Sequence, residues 1–265
     1  MRPALSATES MGRGKHRTSL SVARRARPRI RQHLRLVVTA GPTREKIDPV
    51  RFISNYSTGH VGYEIAQEAG SRGHSVVLVS GPTCLERPRH VRRMIFTECA
   101  RDMRRTVLRE FASSDALIMA AAVCDWRPRE AKRRKLKRED YTARQRDGRT
   151  FLELVENPDI LLEAGRGKGA RVVVGFALES EDLIANAREK LEHKNLDLII
   201  ANRLSRKKSV FGQREVDFVI IDKGGHLSRY HNLSKCGIAR RIIDKVESMC
   251  YSNVERNAHA RRTSR

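Results

Sequence analysis

Leu34-Arg-Leu-Val-Val-Thr-Ala40 runs directly into Gly41-Pro-Thr-Arg-Glu-Lys-Ile-Asp-Pro-Val-Arg-Phe-Ile-Ser-Asn-Tyr-Ser-Thr-Gly-His-Val-Gly62. The first segment is an apolar run that reads as a buried strand, and residues 60–72 have a helical pattern. Between them the spacing predicts a long polar loop. A strand, a polar loop and then Gly59-His-Val-Gly62 at a helix start is where an α/β protein holds an anion. The N–H groups of a helix N-terminus are unpaired, and the dipole favours negative charge there. Glycines let the backbone come close to a ligand. The connection is far too long for the dinucleotide fingerprint, whose first glycine stands in a tight strand-to-helix turn.

Working outward, short apolar runs alternate with helical patterns. Strands are expected at 34–40, 75–80, 91–97, 116–122, 172–177, 196–201 and 216–222, and helices at 60–72, 99–111, 158–164, 181–193 and 234–249. The strands are continuously rather than alternately apolar. They should therefore be buried on both faces, in a doubly wound, mostly parallel α/β sheet. The runs 216–222 and 227–230, joined through Lys223-Gly-Gly225, predict a small antiparallel hairpin at one edge. Residues 127–149 carry too much charge to pack and are expected to form a mobile loop. Ligands of such sheets sit at the carboxyl ends of the strands, where the motifs below all begin.

The formal net charge is +23, which first suggests a nucleic-acid partner. Its distribution argues otherwise. Residues 1–35 hold ten Lys or Arg and one acid, 127–149 eleven and four, and 251–265 four and one. The excess thus sits in two tails and one loop. Segments 1–33 and 251–265 are expected to be disordered basic tails around a domain at 34–250. The N-terminal segment lacks the apolar core of a secretory signal. No apolar run approaches the roughly 18 residues of a membrane span. Cys84, Cys99, Cys124, Cys236 and Cys250 are odd in number and form no C-x-x-C pair. That fits a reduced, cytoplasmic protein better than a disulfide framework or a zinc site.

Several residues combine a chemical and a purely structural explanation. Asn55 can donate to a developing oxyanion without titrating, or simply hold a turn. Ser57 could bind an anion or cap a helix. The small residues of Ala120-Ala-Ala-Val-Cys-Asp125 could admit a planar base with an acid beyond it, or be a packed strand end. Asn157 before Pro158 reads first as a helix cap. Phe176, a strand-end aromatic beside Gly175, could stack or be core. Lys190 and Lys194 share a helix face. Lys135, within Lys132-Arg-Arg-Lys-Leu-Lys-Arg138, could neutralise a transferring phosphate or be one charge of a solvated run.

Taken in order, G-P-T-R-E-x-I-D-P-V-R-F-I-S-N-x-S-T-G-x-x-G, Ala120–Asp125, Lys135-Leu-Lys137, Asn157–Ile160, Val174-Gly-Phe-Ala177 and Lys194–Asn202 resemble phosphopantothenate–cysteine ligase. This is the second half of the bifunctional coenzyme A biosynthesis flavoproteins of bacteria, and the resemblance spans roughly residues 34–250. It implies a Rossmann-like fold and two half-reactions. The carboxylate of 4′-phosphopantothenate attacks the α-phosphate of CTP, giving an acyl-cytidylate and pyrophosphate. The amine of L-cysteine then attacks the acyl carbon and releases CMP.

The resemblance also implies residue roles. Asn55 would act at the reacting carboxyl, with Ser57, Gly59 and Gly62 holding the phosphorylated substrate. Lys135, ten residues beyond Asp125 as in the family, would serve the nucleotidyl transfer, with Lys132 a weaker candidate. CTP would be bound by Ala121, Asp125, Lys135, Asn157, Pro158, Asp159, Ile160, Phe176, Lys190 and Lys194. Mg²⁺ would accompany the triphosphate without a dedicated protein ligand set. A homodimer sharing its sites is implied, with a separate phosphopantothenoylcysteine decarboxylase as pathway partner. Only a basic segment precedes Leu34, so no FMN site is expected.

Arg214, Val216 and Arg203 depart from the family pattern near the expected substrate and subunit contacts. Two other classes compete: a basic nucleic-acid-binding protein on a ligase-like scaffold, and a nicotinamide oxidoreductase, which the glycine spacing disfavours.

Overall fold

The computed structural model describes residues 33–137, 139–140, 151–203 and 215–263. Residues 1–32 of the expected N-terminal tail, part of the 127–149 loop and the Arg214 departure lie outside them.

In chain order the strands are β1 (Arg35–Ala40), β2 (Arg44–Lys46), β3 (Phe52–Ser54), β4 (Ser75–Ser80), β5 (Arg93–Phe96) and β6 (Ala116–Met119). They continue with β7 (Trp126–Pro128), β8 (Leu154–Glu156), β9 (Val172–Glu179), β10 (Leu198–Arg203), β11 (Glu215–Asp222) and β12 (Leu227–Ser234). The helices are α1 (His60–Ser71), α2 (Ala100–Phe111), α3 (Ile160–Arg166), α4 (Leu183–His193) and α5 (Lys235–Thr263).

The main sheet has the order β12-β11-β10-β9-β6-β1-β4-β5. From β10 to β5 every neighbouring pair is parallel. β11 and β12 add the expected antiparallel edge. The six parallel strands, numbered among themselves, run 3-2-1-4-5-6, the order of dinucleotide-binding folds. Successive residues of β1 explain the double winding. Leu36, Val38 and Ala40 pack with Tyr63, Ile65 and Ala66 of α1 and Ile238, Ile242 and Ile243 of α5. Val37 points the other way, into the layer of Met103 and Val107 of α2, Leu161 of α3 and Leu191 of α4. Connections diverge between β1 and β6, which places the switch point of the sheet there. Among the described residues no helix is long and apolar enough to cross a membrane.

Four expectations need correction. The stretch after β1 is not simply a loop, because β2 and β3 pair antiparallel within it. Its turn is organised by Asp48, whose Oδ1 accepts from the N–H groups of Val50 and Arg51, both at 2.8 Å. The charged stretch from Arg127 is not loose at its start, since β7 pairs with β8. There Arg129 pairs with Glu153 at 2.6 Å across the two strands, at the surface. The C-terminal segment is not a disordered tail, because α5 continues to Thr263. Met249 and Tyr251 still pack on the core, and Asn253 Nδ2 donates to the Ala170 carbonyl at 2.8 Å. Finally, Asn157 does not cap α3. Asp159 does, accepting from Leu162 N–H at 2.9 Å.

Candidate active site

The ends of β1 and β6 are stitched together where they leave the sheet. Ala122 N–H donates to Gly41 O at 2.9 Å and Thr43 N–H to Ala122 O at 3.2 Å. The Thr39 hydroxyl accepts from Ala121 N–H and that of Thr43 from Cys124 N–H, each at 3.0 Å. Asn55, just beyond β3, donates through Nδ2 to the Val123 carbonyl at 3.0 Å. The first two motifs of the sequence are therefore joined directly, and the Asn55 amide is oriented by a fixed acceptor. Burial pushes the Cys124 thiol up in pKa, and its Sγ donates to Thr43 O at 3.6 Å. It is a packed thiol rather than a nucleophile.

The next segment is tied on in the same way. Asn157 N–H donates to Asp125 O at 2.8 Å and its Nδ2 to Cys124 O at 2.9 Å. Because that carbonyl only accepts, the amide nitrogen must face it. Asn157 Oδ1 is left buried with no hydrogen-bond partner. Such an orphan acceptor costs about 1–3 kcal/mol.

Beyond these ties lies a cavity of ≈ 340 Å³ at the carboxyl ends of β6 and β9. Its wall includes Ala121, Asp125, Asn157, Pro158, Asp159, Ile160, Phe176, Lys190 and Lys194, nine residues expected at a nucleotide. Trp126 and Glu156, paired across β7 and β8, line it as well. Sequence reasoning missed both. Their strands are three residues each, too short to register as an alternation amid the surrounding charge.

Two cations stand on one side of this cavity. Lys194, the C-terminal cap of α4, holds Asp159 Oδ2 at 2.7 Å. Burial alone would push the Asp159 carboxyl up, but the Lys194 ammonium and the Leu162 N–H outweigh it and leave the pKa lowered. Lys190 is lowered, first by burial and then by repulsion from Lys194. Cationic side chains at a helix C-terminus complement its dipole, and the pair leaves positive charge available to an anion.

The other predicted residues fall elsewhere. Gly59 is the N-cap of α1 at φ 78, a left-handed conformation that favours glycine, and no side chain caps this helix. Ser57 is not the cap, its Oγ accepting instead from Gly59 N–H at 3.3 Å. Gly62 faces β1. A Cβ there would lie 2.6 Å from Ala40 Cβ and from Thr39 O, so its absence permits helix-on-sheet packing. Gly175 likewise makes room for Leu196 and Leu161 rather than for a ligand, while Phe176 next to it is half-buried at the cavity. Lys135 is exposed and lies outside the cavity wall. Among the described residues no group of three or more His, Cys, Asp or Glu stands together as a metal cage.

The chain is similar to known proteins over most of its length. The model of the DNA/pantothenate metabolism flavoprotein C-terminal domain matches residues 31–249. The coenzyme A biosynthesis bifunctional protein CoaBC of Bacillus subtilis is 39% identical over 222 residues, covering 84% of this chain and 53% of that protein. A cysteine/cysteine sulfinic acid decarboxylase from an unknown prokaryotic organism is 37% identical over 218 residues, or 82% of this chain and 59% of its own length. The chain thus spans about half the length of the curated relatives it matches. A crystal structure of the C-terminal domain of a CoaBC protein superposes with a TM-score of 0.69 at 35% identity, covering 83% of this chain and 97% of that one.

Proposed function

This chain belongs to the DNA/pantothenate metabolism flavoprotein C-terminal domain family, and from that premise we propose that it is a ligase of coenzyme A biosynthesis. It joins 4′-phosphopantothenate to L-cysteine, activating the carboxylate with CTP as an acyl-cytidylate. One observation carries the proposal. Nine residues from four separate segments, all expected at CTP from the sequence, line a single cavity at the carboxyl ends of β6 and β9.

In the proposed mechanism the nucleotide lies against Ala121 and Phe176, with its base toward Asn157–Ile160. Its phosphates face Lys190 and Lys194. The phosphate of 4′-phosphopantothenate is held at the uncapped N-terminus of α1, beside Ser57 and Gly59. A carboxylate is a poor electrophile, and nucleotidyl transfer supplies the leaving group it lacks. Charge then accumulates on the departing pyrophosphate, which Lys135 offsets. Lys135 stands off the cavity of its own chain, the placement expected where two subunits of a homodimer share each site. Asn55, fixed by Val123, holds the acyl carbonyl while the cysteine amine attacks. A Mg²⁺ ion bound with the triphosphate would help Lys190 and Lys194 offset its charge. FMN has no part in this chemistry, and a separate decarboxylase acts on the product. The setting is cytoplasmic.

A nucleic-acid-binding role is not favoured. In the most basic described loop several charges are already paired, Lys132 with Glu130 and Arg134 with Asp140. Incubation with 4′-phosphopantothenate, L-cysteine, Mg²⁺ and each nucleoside triphosphate tests the proposal. Pyrophosphate release and phosphopantothenoylcysteine should appear together, and fastest with CTP. No joined product with any nucleotide would refute ligation; equal or better turnover with ATP would refute the choice of CTP.

A further inference from the structure

Asp48 is the acid of Ile47-Asp-Pro-Val-Arg51 at the tip of the β2–β3 hairpin, and it is 2% exposed. Its two oxygens do different things. Oδ1 closes the hairpin turn through Val50 and Arg51 N–H. Oδ2 accepts from Arg51 Nε at 3.0 Å and, across 88 positions of sequence, from Leu136 N–H at 3.2 Å. Arg51 completes the junction by donating from Nη2 to the Leu136 carbonyl at 2.8 Å. One peptide group on each side of Leu136 is thus held by the same acid–base pair, immediately after Lys135. Lys132 N–H adds a further tie to Ile47 O at 2.8 Å. The same hairpin ends, past β3, at Asn55.

We propose that the Asp48–Arg51 pair is a latch that fixes the Lys135 loop to the hairpin carrying Asn55, making Asp48 a positioning residue for the nucleotidyl-transfer step. The assignment of that step rests on the function proposed above; the latch itself rests only on the geometry. A buried carboxylate suits this task. Its ionised form is acceptor-only and can hold several N–H groups at once, each bond strengthened by charge. Main-chain bonds on both sides of Leu136 set the direction in which the Lys135 side chain leaves the loop. Small misplacements of a group that serves a transition state can cost up to about a hundredfold in rate.

Two variants open the latch differently. Asp48→Asn retains an acceptor for the turn but turns an amide nitrogen toward Arg51 and Leu136. Leu136→Pro deletes the N–H donor from an exposed loop and leaves the hairpin untouched. Hydrogen exchange read residue by residue tests the latch without substrate. The Leu136 amide should exchange at least about tenfold faster in Asp48→Asn, while amides of β1 and β6 keep their protection. Pyrophosphate release with CTP and 4′-phosphopantothenate tests positioning. Each variant should lose about 10- to 100-fold in kcat with little change in KM for CTP. Asp48→Asn combined with Lys135→Ala should be no slower than Lys135→Ala alone, because the latch acts through that lysine. Unchanged exchange at Leu136 would overturn the latch. Multiplying rate losses in the double variant would overturn positioning through Lys135. A wild type that releases no pyrophosphate would overturn the proposed function and the step assigned to Asp48, while exchange would still decide whether the latch exists.

Discussion

Replacing Lys190 by Met should separate ligand binding from folding. The ammonium is half-buried, makes no ion pair among the described residues, and shares its wall with Lys194, already engaged by Asp159 at 2.7 Å. Burial first, and Lys194 second, lower its pKa below the ordinary lysine value. A lysine lowered in the folded state is bound more tightly to its proton in the unfolded chain. Its charged form therefore opposes folding below the folded pKa, and stability rises as pH climbs through that value. Met is one atom shorter, keeps the unbranched apolar stem and removes the charge, so the Tm of the ligand-free protein should hold or rise. CTP affinity should move the opposite way. A charge-assisted hydrogen bond to a phosphate contributes about 1.5–3 kcal/mol, roughly 10- to 150-fold in Kd. Calorimetric titration with CTP and thermal unfolding with and without it read the two effects separately. A fall in the ligand-free Tm together with unchanged CTP affinity would show that Lys190 supports the fold, and the phosphate assignment would be wrong.

Three further outcomes follow from the geometry. Asn55→Asp removes the amide donors and adds charge beside the acyl group, so quenched reactions should accumulate acyl-cytidylate and little joined product. Gly62→Ala places a Cβ 2.6 Å from Ala40 Cβ and Thr39 O; urea unfolding should register a loss of about 1–3 kcal/mol. Asp197 is buried between Lys168 and Lys223, each at 2.9 Å. Burial pushes its carboxyl up, but the two ammoniums and Val173 N–H leave it lowered. Its contribution is present above the unfolded carboxylate pKa and lost as pH falls through the lowered one. Asp197→Asn should therefore cost about 3–5 kcal/mol at neutral pH, and the difference from wild type should shrink in acid denaturation curves.

The sheet was legible because continuous apolar runs such as Leu36–Val38 have few alternatives to burial on both faces. Boundaries shifted where local geometry intervened. β10 starts at Leu198 rather than 196 because Asn195 takes a left-handed turn (φ 50) at the end of α4. The hairpin within 41–62 was hidden because β2 and β3 are three residues each, too short for a period of two to register. The end of α5 was misjudged because charge masked a helix anchored by Met249, Cys250 and Tyr251. Within the site, the cavity residues could be named from motif resemblance, but their convergence depends on carbonyl ties such as Asn55 to Val123 and Asn157 to Cys124. Main-chain acceptors of this kind leave no mark on side-chain identity. Asp48 escaped notice because three of its donors, the N–H groups of Val50, Arg51 and Leu136, are main-chain groups too.

The most direct test of the account is a single turnover with the protein in excess over CTP and 4′-phosphopantothenate, first without cysteine and then with it. Without cysteine, pyrophosphate and an acid-stable acyl-cytidylate should form in equal amounts. Adding L-cysteine should convert the intermediate to phosphopantothenoylcysteine with stoichiometric CMP. Pyrophosphate that appears only once cysteine is present, or release of any nucleotide product other than CMP, would contradict activation through an acyl-cytidylate at this cavity.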